Sequence, residues 1–114
     1  MQLHVQAANF SLTEAIAAHA QLRLSSALDQ HARLIDRVVV MLRDINGPKG
    51  GMDMEVDVTV RTHRGGIVVI KEIQSDLYAA ISHAADRVKN AVGRLAGKRL
   101  ERRRIGRHGS SGAN

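Results

Sequence analysis

The chain has 114 residues, 44% of them apolar, which is enough for one domain with one modest core. It contains no cysteine, which excludes disulfides and thiolate chemistry. Phe10 and Tyr78 are its only Phe, Tyr or Trp residues, so the core must be built from Val, Ile, Leu, Met and Ala. The net charge of +6 is unevenly spread: residues 1–60 hold five bases and seven acids, residues 61–114 twelve bases and four acids. Such asymmetry suits a domain that turns one basic surface toward a polyanion. No apolar run approaches the ~20 residues of a membrane span. The start, Met1-Gln2-Leu3-His4-Val5, lacks the basic and apolar regions of a signal peptide, so a cytoplasmic location is expected.

In chain order, Gln2 to Ala7 alternates apolar and polar residues and predicts a half-buried strand. Ser11-Leu12-Thr13-Glu14 has the form of a capping box, with Thr13 an alternative N-cap. The helix that follows is predicted to reach about Gln30, burying Ile16, Ala20, Leu24, Ala27 and Leu28. Leu34 to Asp44 is a β-branched strand with Arg37 and Arg43 toward water and Val38, Val40 and Leu42 inward. Ile45 to Gly51 carries every turn signal. From Met52 to Thr62 the methionines and valines alternate with Asp53, Glu55, Asp57, Thr59 and Arg61, predicting one buried and one solvated face. Thr62 to Gly66 closes a hairpin, Ile67 to Ile73 forms the next strand, and Ser75 or Asp76 caps a long helix.

That helix carries an apolar stripe of Leu77, Ile81, Ala84, Val88, Val92 and Leu95. Arg87, Arg94 and Lys98 lie along one edge of the stripe and Lys89 projects from the other. Beyond Lys98 the bases point in every direction, and from Arg87 to Arg107 there are nine Lys or Arg against one acid, Glu101. The helix is expected to be ordered to about Ala96, then to run on as a frayed or projecting helix through Arg104. The predicted architecture is α+β: a two-layer β-α-β-β-β-α sandwich, a four-stranded sheet with two helices on one face. It forms one domain over residues 1–105, with a disordered basic, Gly/Ser-containing tail over 106–114.

Catalytic chemistry finds little support. The six histidines are scattered without metal-ligand spacing. Asp53, Glu55 and Asp57 have the alternation that any exposed strand face produces, and Gly47 to Gly51 lacks the Lys-Ser/Thr ending of a phosphate loop. No enzyme activity, metal, cofactor or small-molecule substrate is expected. Phosphate contacts through the basic helix remain, and with so few aromatics recognition should rest on phosphate and shape.

Three stretches, Met1-Gln2-Leu3, Thr13-Glu14-Ala15-Ile16 and above all Asp76-Leu77-Tyr78-Ala79-Ala80-Ile81 before a basic helix, resemble the ribosome hibernation promoting factors. These are also known as ribosome-associated inhibitors or sigma-factor modulation proteins, and the resemblance covers about residues 1–100. It implies a fold similar to double-stranded-RNA-binding domains. It also implies binding to small-subunit rRNA in the decoding channel, where mRNA and tRNA lie, so that idle ribosomes are silenced under stress or in stationary phase. The family's basic helix positions map onto Arg87, Arg94 and Lys98, while Asn90 and Ala96 stand where the family has Arg or Lys. The expected rRNA-binding set is Arg87, Lys89, Asn90, Arg94, Lys98, Arg99, Arg102 and Arg103. The chain looks like a short form, monomeric off the ribosome. A stand-alone duplex-RNA-binding module and a protein–protein modulator of a sigma factor are the competing readings, the second requiring an exposed apolar patch to which Val39 and Met41 could contribute.

Overall fold

The computed structural model describes residues 1–46 and 53–108, with side chains described through Gly97. The elements are β1 (Gln2–Ala7), α1 (Glu14–Leu28), a 3₁₀ turn (Asp29–His31), β2 (Ile35–Asp44), β3 (Met54–Thr62), β4 (Ile67–Gln74) and α2 (Leu77–His108). The strands form one sheet in the order β1-β2-β3-β4. The β1–β2 pair is parallel, with Val5 opposite Val40, and α1 supplies the crossover that a parallel pair demands. The other two pairs are antiparallel, with Val58 opposite both Val40 and Ile70. The α+β architecture expected from the sequence is therefore the one observed.

Alternation puts Val38, Val40 and Leu42 of β2 and Val56, Val58 and Val60 of β3 on the face that the helices cover, and all six are fully buried. From above, α1 contributes Ala20, Leu24, Ala27 and Leu28, and α2 contributes Ala80, Ile81, Ala84, Ala85, Val88 and Val92. The alanines let two helices share one narrow sheet. Thr13, not Ser11, caps α1: its hydroxyl accepts from the Ile16 amide at 3.1 Å. The helix stops at Leu28, two residues short of the sequence expectation, because the chain tightens into the 3₁₀ turn.

One sequence expectation needs correction. Glu55 is expected on the solvated face of β3, yet it is buried, because Arg43 and Lys71 from the flanking strands fold over it at 3.9 and 3.4 Å. The α2 helix projects through the basic run, and its helical course reaches His108, four residues beyond the expected Arg104. The rest of the expected tail, residues 109–114, lies outside the described residues, as do Gly47 to Gly51 of the expected loop and Met52.

The hairpin between β3 and β4 fixes where α2 leaves the sheet. Gly65 turns the chain with a φ of 93°. At Gly66 a Cβ would lie 3.2 Å from Leu95 Cδ2 and 3.0 Å from Thr62 Oγ1, so the missing side chain lets α2 settle against the turn. Leu95 is the last apolar residue of the stripe, and this is the end of the sheet from which the basic half of α2 extends.

Candidate nucleic-acid interface

The start of α2 is set by Asp76, whose carboxylate accepts from the Tyr78 amide at 3.1 Å and whose carbonyl accepts from the Ala80 amide at 2.9 Å. Tyr78 lies beside the stripe, 42% exposed, with its ring edge-on to the His19 imidazole at 4.8 Å. One flank of α2 meets α1, where Arg23 reaches Ser82 Oγ at 3.3 Å and Asp86 at 3.4 Å. The other flank meets β4.

Arg87 belongs to the β4 flank, and one nitrogen of its guanidinium is engaged there. Its Nη1 donates to the Lys71 carbonyl at 2.7 Å and to Glu72 Oε1 at 2.8 Å. Glu72 is further held by Gln74 Nε2, which donates to Oε2 at 2.9 Å and also meets His83 Nδ1. The Gln74 and Arg87 hydrogen bonds hold the Glu72 carboxyl below the usual glutamate range. Arg87 thus covers part of the open edge of β4.

Lys89, Asn90 and Arg94 are all exposed, and neither cation has an ion-pair partner among the described residues. Together with Gly93 they face Gln30 and His31 of the 3₁₀ turn across an open groove of about 390 Å³. The turn is held in place by the Leu34 amide on the His31 carbonyl at 2.9 Å, and by the Ala32 amide on the Asp29 carbonyl at 3.3 Å. The sequence-predicted set therefore divides. Lys89, Asn90 and Arg94 come together, Arg87 is tied to the sheet, and the helical backbone carries Lys98, Arg99, Arg102 and Arg103 onward while their side chains lie outside the described residues. Gln30 and His31 were not in the predicted set. No local pattern marks them, and only the packing of the 3₁₀ turn against α2 brings them to the site. Arg64 is exposed in the hairpin whose Gly66 lies against Leu95.

The outer face of the sheet has a different character. Arg43 and Lys71 are spent on Glu55, and Asp57 sits between them with Oδ1 buried and without a hydrogen-bond partner. Burial, then the neighbouring Glu55 charge, pushes the Asp57 carboxyl above its ordinary range. Along β4 this face shows Ile67, Val69 and Ile73, each at least half exposed. Among the described residues no group of three or more His, Asp or Glu could hold a metal, and no helix is long and apolar enough to cross a membrane.

Residues 3–100 match the family model described as sigma 54 modulation protein / S30EA ribosomal protein. Among solved structures, the chain is similar to the crystal structure of the Thermus thermophilus Protein Y N-terminal domain. That likeness has 26% identity and a TM-score of 0.68, and covers 83% of this chain and 99% of the other. It is also similar in fold to a ribosomal subunit interface protein from Coxiella burnetii, at 10% identity and a TM-score of 0.73 over 85% of this chain and 99% of the other. No curated protein matches at comparable strength. The resemblance drawn from Asp76 to Ile81 and the basic helix is borne out: the chain belongs to the sigma 54 modulation protein / S30EA ribosomal protein family.

Proposed function

We propose that the chain is a ribosome hibernation factor that binds small-subunit rRNA in the decoding channel through α2, blocking the path of mRNA and tRNA while the ribosome is idle. It acts in the cytoplasm under stress or in stationary phase, as a monomer until it meets the subunit, and it works by occupancy without chemistry. The observation that carries this reading is the contrast in charge pairing along the chain. Arg23, Arg43, Lys71 and Arg87 are each matched by an acid, whereas Lys89 and Arg94 are exposed with no ion-pair partner among the described residues. Unmatched cations on a helix flank, continued by a helical run of further bases, suit a phosphate backbone. Family membership supplies the ribosome as the source of that backbone.

The test is a sucrose gradient of stationary-phase lysate probed for this protein, repeated at rising salt. Co-migration with the small subunit is expected. The affinity should fall with a log–log slope of about 0.7–0.9 per phosphate contacted, over roughly four to six contacts. A protein found only at the top of the gradient at low salt, or an affinity indifferent to salt, refutes the reading. Preference for isolated duplex RNA over ribosomes would point to a stand-alone duplex-binding module.

One observation favours a second reading, modulation of a protein partner. Ile67, Val69 and Ile73 expose apolar side chains along β4, separated by Thr59 and Asp57 of β3 from the half-buried Val39 and Met41 that the sequence pointed to. Val69→Lys would abolish such an interaction and leave ribosome binding untouched.

A further inference from the structure

The groove between the 3₁₀ turn and α2 has walls of unlike chemistry, and we propose that it is a subsite for one nucleotide of a single-stranded or extruded RNA segment. In this assignment Lys89 and Arg94 hold the flanking phosphates, and Gln30, His31 and Asn90 meet the base. The inference rests on the reading of α2 as an RNA-binding surface and adds a place where a base, and not only the backbone, is met.

Three features of the groove lead there. The first is size: about 390 Å³ is near the low end of the roughly 300–1,000 Å³ of small-ligand sites. That is the scale of a single nucleotide. The second is the placing of charge. Lys89 and Arg94 are five residues apart, hence about 140° apart around the helix and about 7.5 Å along it. They stand on either side of Asn90 and Gly93, as two cations would to hold successive phosphates of one strand. Between them the lining is amide and imidazole. Gln30 and Asn90 each offer a carbonyl and an NH₂ group, the complement of a Watson–Crick edge. His31, or the guanidinium plane of Arg94, offers a flat surface for the base, a role these residue types fill on single-stranded RNA.

The third feature is Gly93. A glycine inside a helix weakens it relative to alanine, so its presence calls for a reason. Packing within the chain does not supply one. A Cβ built at Gly93 would meet only His31 Nε2, at 3.8 Å, an ordinary contact. The missing side chain instead leaves the groove floor open between Lys89 and Arg94 and keeps the imidazole reachable. A bound base would use that space.

The test uses the full chain with two probes: purified small ribosomal subunits, and short single-stranded RNA oligonucleotides with a blunt duplex of equal charge beside them. Gly93→Ala should melt higher than the wild type and yet bind the oligonucleotide several-fold more weakly. Gly93→Leu, which fills the floor, should lose tenfold or more. In both variants the slope of log affinity against log salt should stay as in the wild type, since no cation is removed. Lys89→Gln should instead reduce that slope by about 0.7. Gln30→Ala should flatten any preference among homopolymeric oligonucleotides. If Gly93→Leu folds and binds like the wild type, or the wild type prefers the duplex, the subsite is refuted while ribosome binding stands. If the wild type binds neither subunits nor oligonucleotide, the parent reading fails and takes the subsite with it. Should Gly93→Leu not fold, Gly93→Ala decides alone: higher melting with unchanged affinity overturns the proposal.

Discussion

Arg87 stands at a family basic position and is also tied to the sheet edge, and Arg87→Ala separates the two roles. The substitution removes two hydrogen bonds, to the Lys71 carbonyl at 2.7 Å and to Glu72 Oε1 at 2.8 Å. A hydrogen bond to a charged partner contributes about 1.5–3 kcal/mol when buried. The Arg87 side chain is 52% exposed while that of Glu72 is 15% exposed, so solvent screens the pair from one side only. After that discount the loss should be about 1–2 kcal/mol, with Gln74 retaining part of the hold on Glu72. For a domain of this size that lowers Tm by roughly 5–10 °C. The pH dependence follows from Glu72. Its folded carboxyl titrates below its unfolded value, so its stabilising effect is present above the ordinary glutamate range and is lost as pH falls through the depressed folded value. The Tm gap between wild type and Arg87→Ala should therefore be full at pH 7 and narrow below about pH 4. Chemical denaturation at both pH values, with Glu72→Gln and the double variant closing a cycle, measures the coupling. Ribosome affinity, corrected for folding, should fall less than for Arg94→Ala. Unchanged stability together with a large loss of binding would refute the assignment of Arg87 to the sheet edge and return it to the interface.

Three further outcomes are expected. Asp57→Asn should raise Tm at pH 7. The carboxyl is held above its ordinary range, so its ionised form opposes folding; the gain should vanish as pH drops through the carboxylate range, where wild-type Asp57 is itself neutral. Gly66→Ala should cost about 1–2 kcal/mol by overpacking. Thr62 Oγ1, 3.0 Å from the new Cβ, is bonded to the Gly66 amide at 2.8 Å and cannot easily give way; an unchanged midpoint in urea would refute this. Truncation after Lys98 should leave Tm nearly unchanged, because the apolar stripe ends at Leu95, while ribosome affinity falls several-fold; a marked loss of stability would assign residues 99–108 to the fold.

The fold was legible because period and burial agree in this chain. Alternation in β2 and β3 and the stripe on α2 each have one apolar set, and that set is the one buried. Glu55 misled because alternation assigns a residue to a face without saying what its cross-strand neighbours do. Only the register brings Arg43 and Ile73 opposite it and Lys71 two pairs away on the same face, and these long side chains enclose a position that pattern alone leaves in water. The same limit hid the site. Helical spacing grouped Arg87 with Arg94, but spacing carries no information about Glu72, an acid contributed by a different strand. Gln30 and His31 were invisible for the converse reason: nothing in their own segment is unusual, and only the packing of the turn on α2 brings them to the groove.

The placing of acids also explains why a polyanion would meet one end of this molecule and not its sheet. On the outer face, Glu55 and Asp57 sit among Arg43 and Lys71 and cancel their field at close range. Toward the hairpin the balance reverses. Arg37 and Arg61 face each other across β2 and β3, both exposed, and Arg64 follows in the turn. Like charges directly opposite one another are destabilising in a sheet, so this pair costs the fold something unless an external anion relieves it. The hairpin end is also where Leu95 packs and where the basic half of α2 departs. Potentials of exposed charges fade over about 8–10 Å in physiological salt. Two arginines on the sheet therefore matter to a ligand only if it comes to that end, where the proposed binding by α2 would bring it. On that reading the sheet end and the helix would meet one ligand, although the chain builds them from segments more than 20 residues apart.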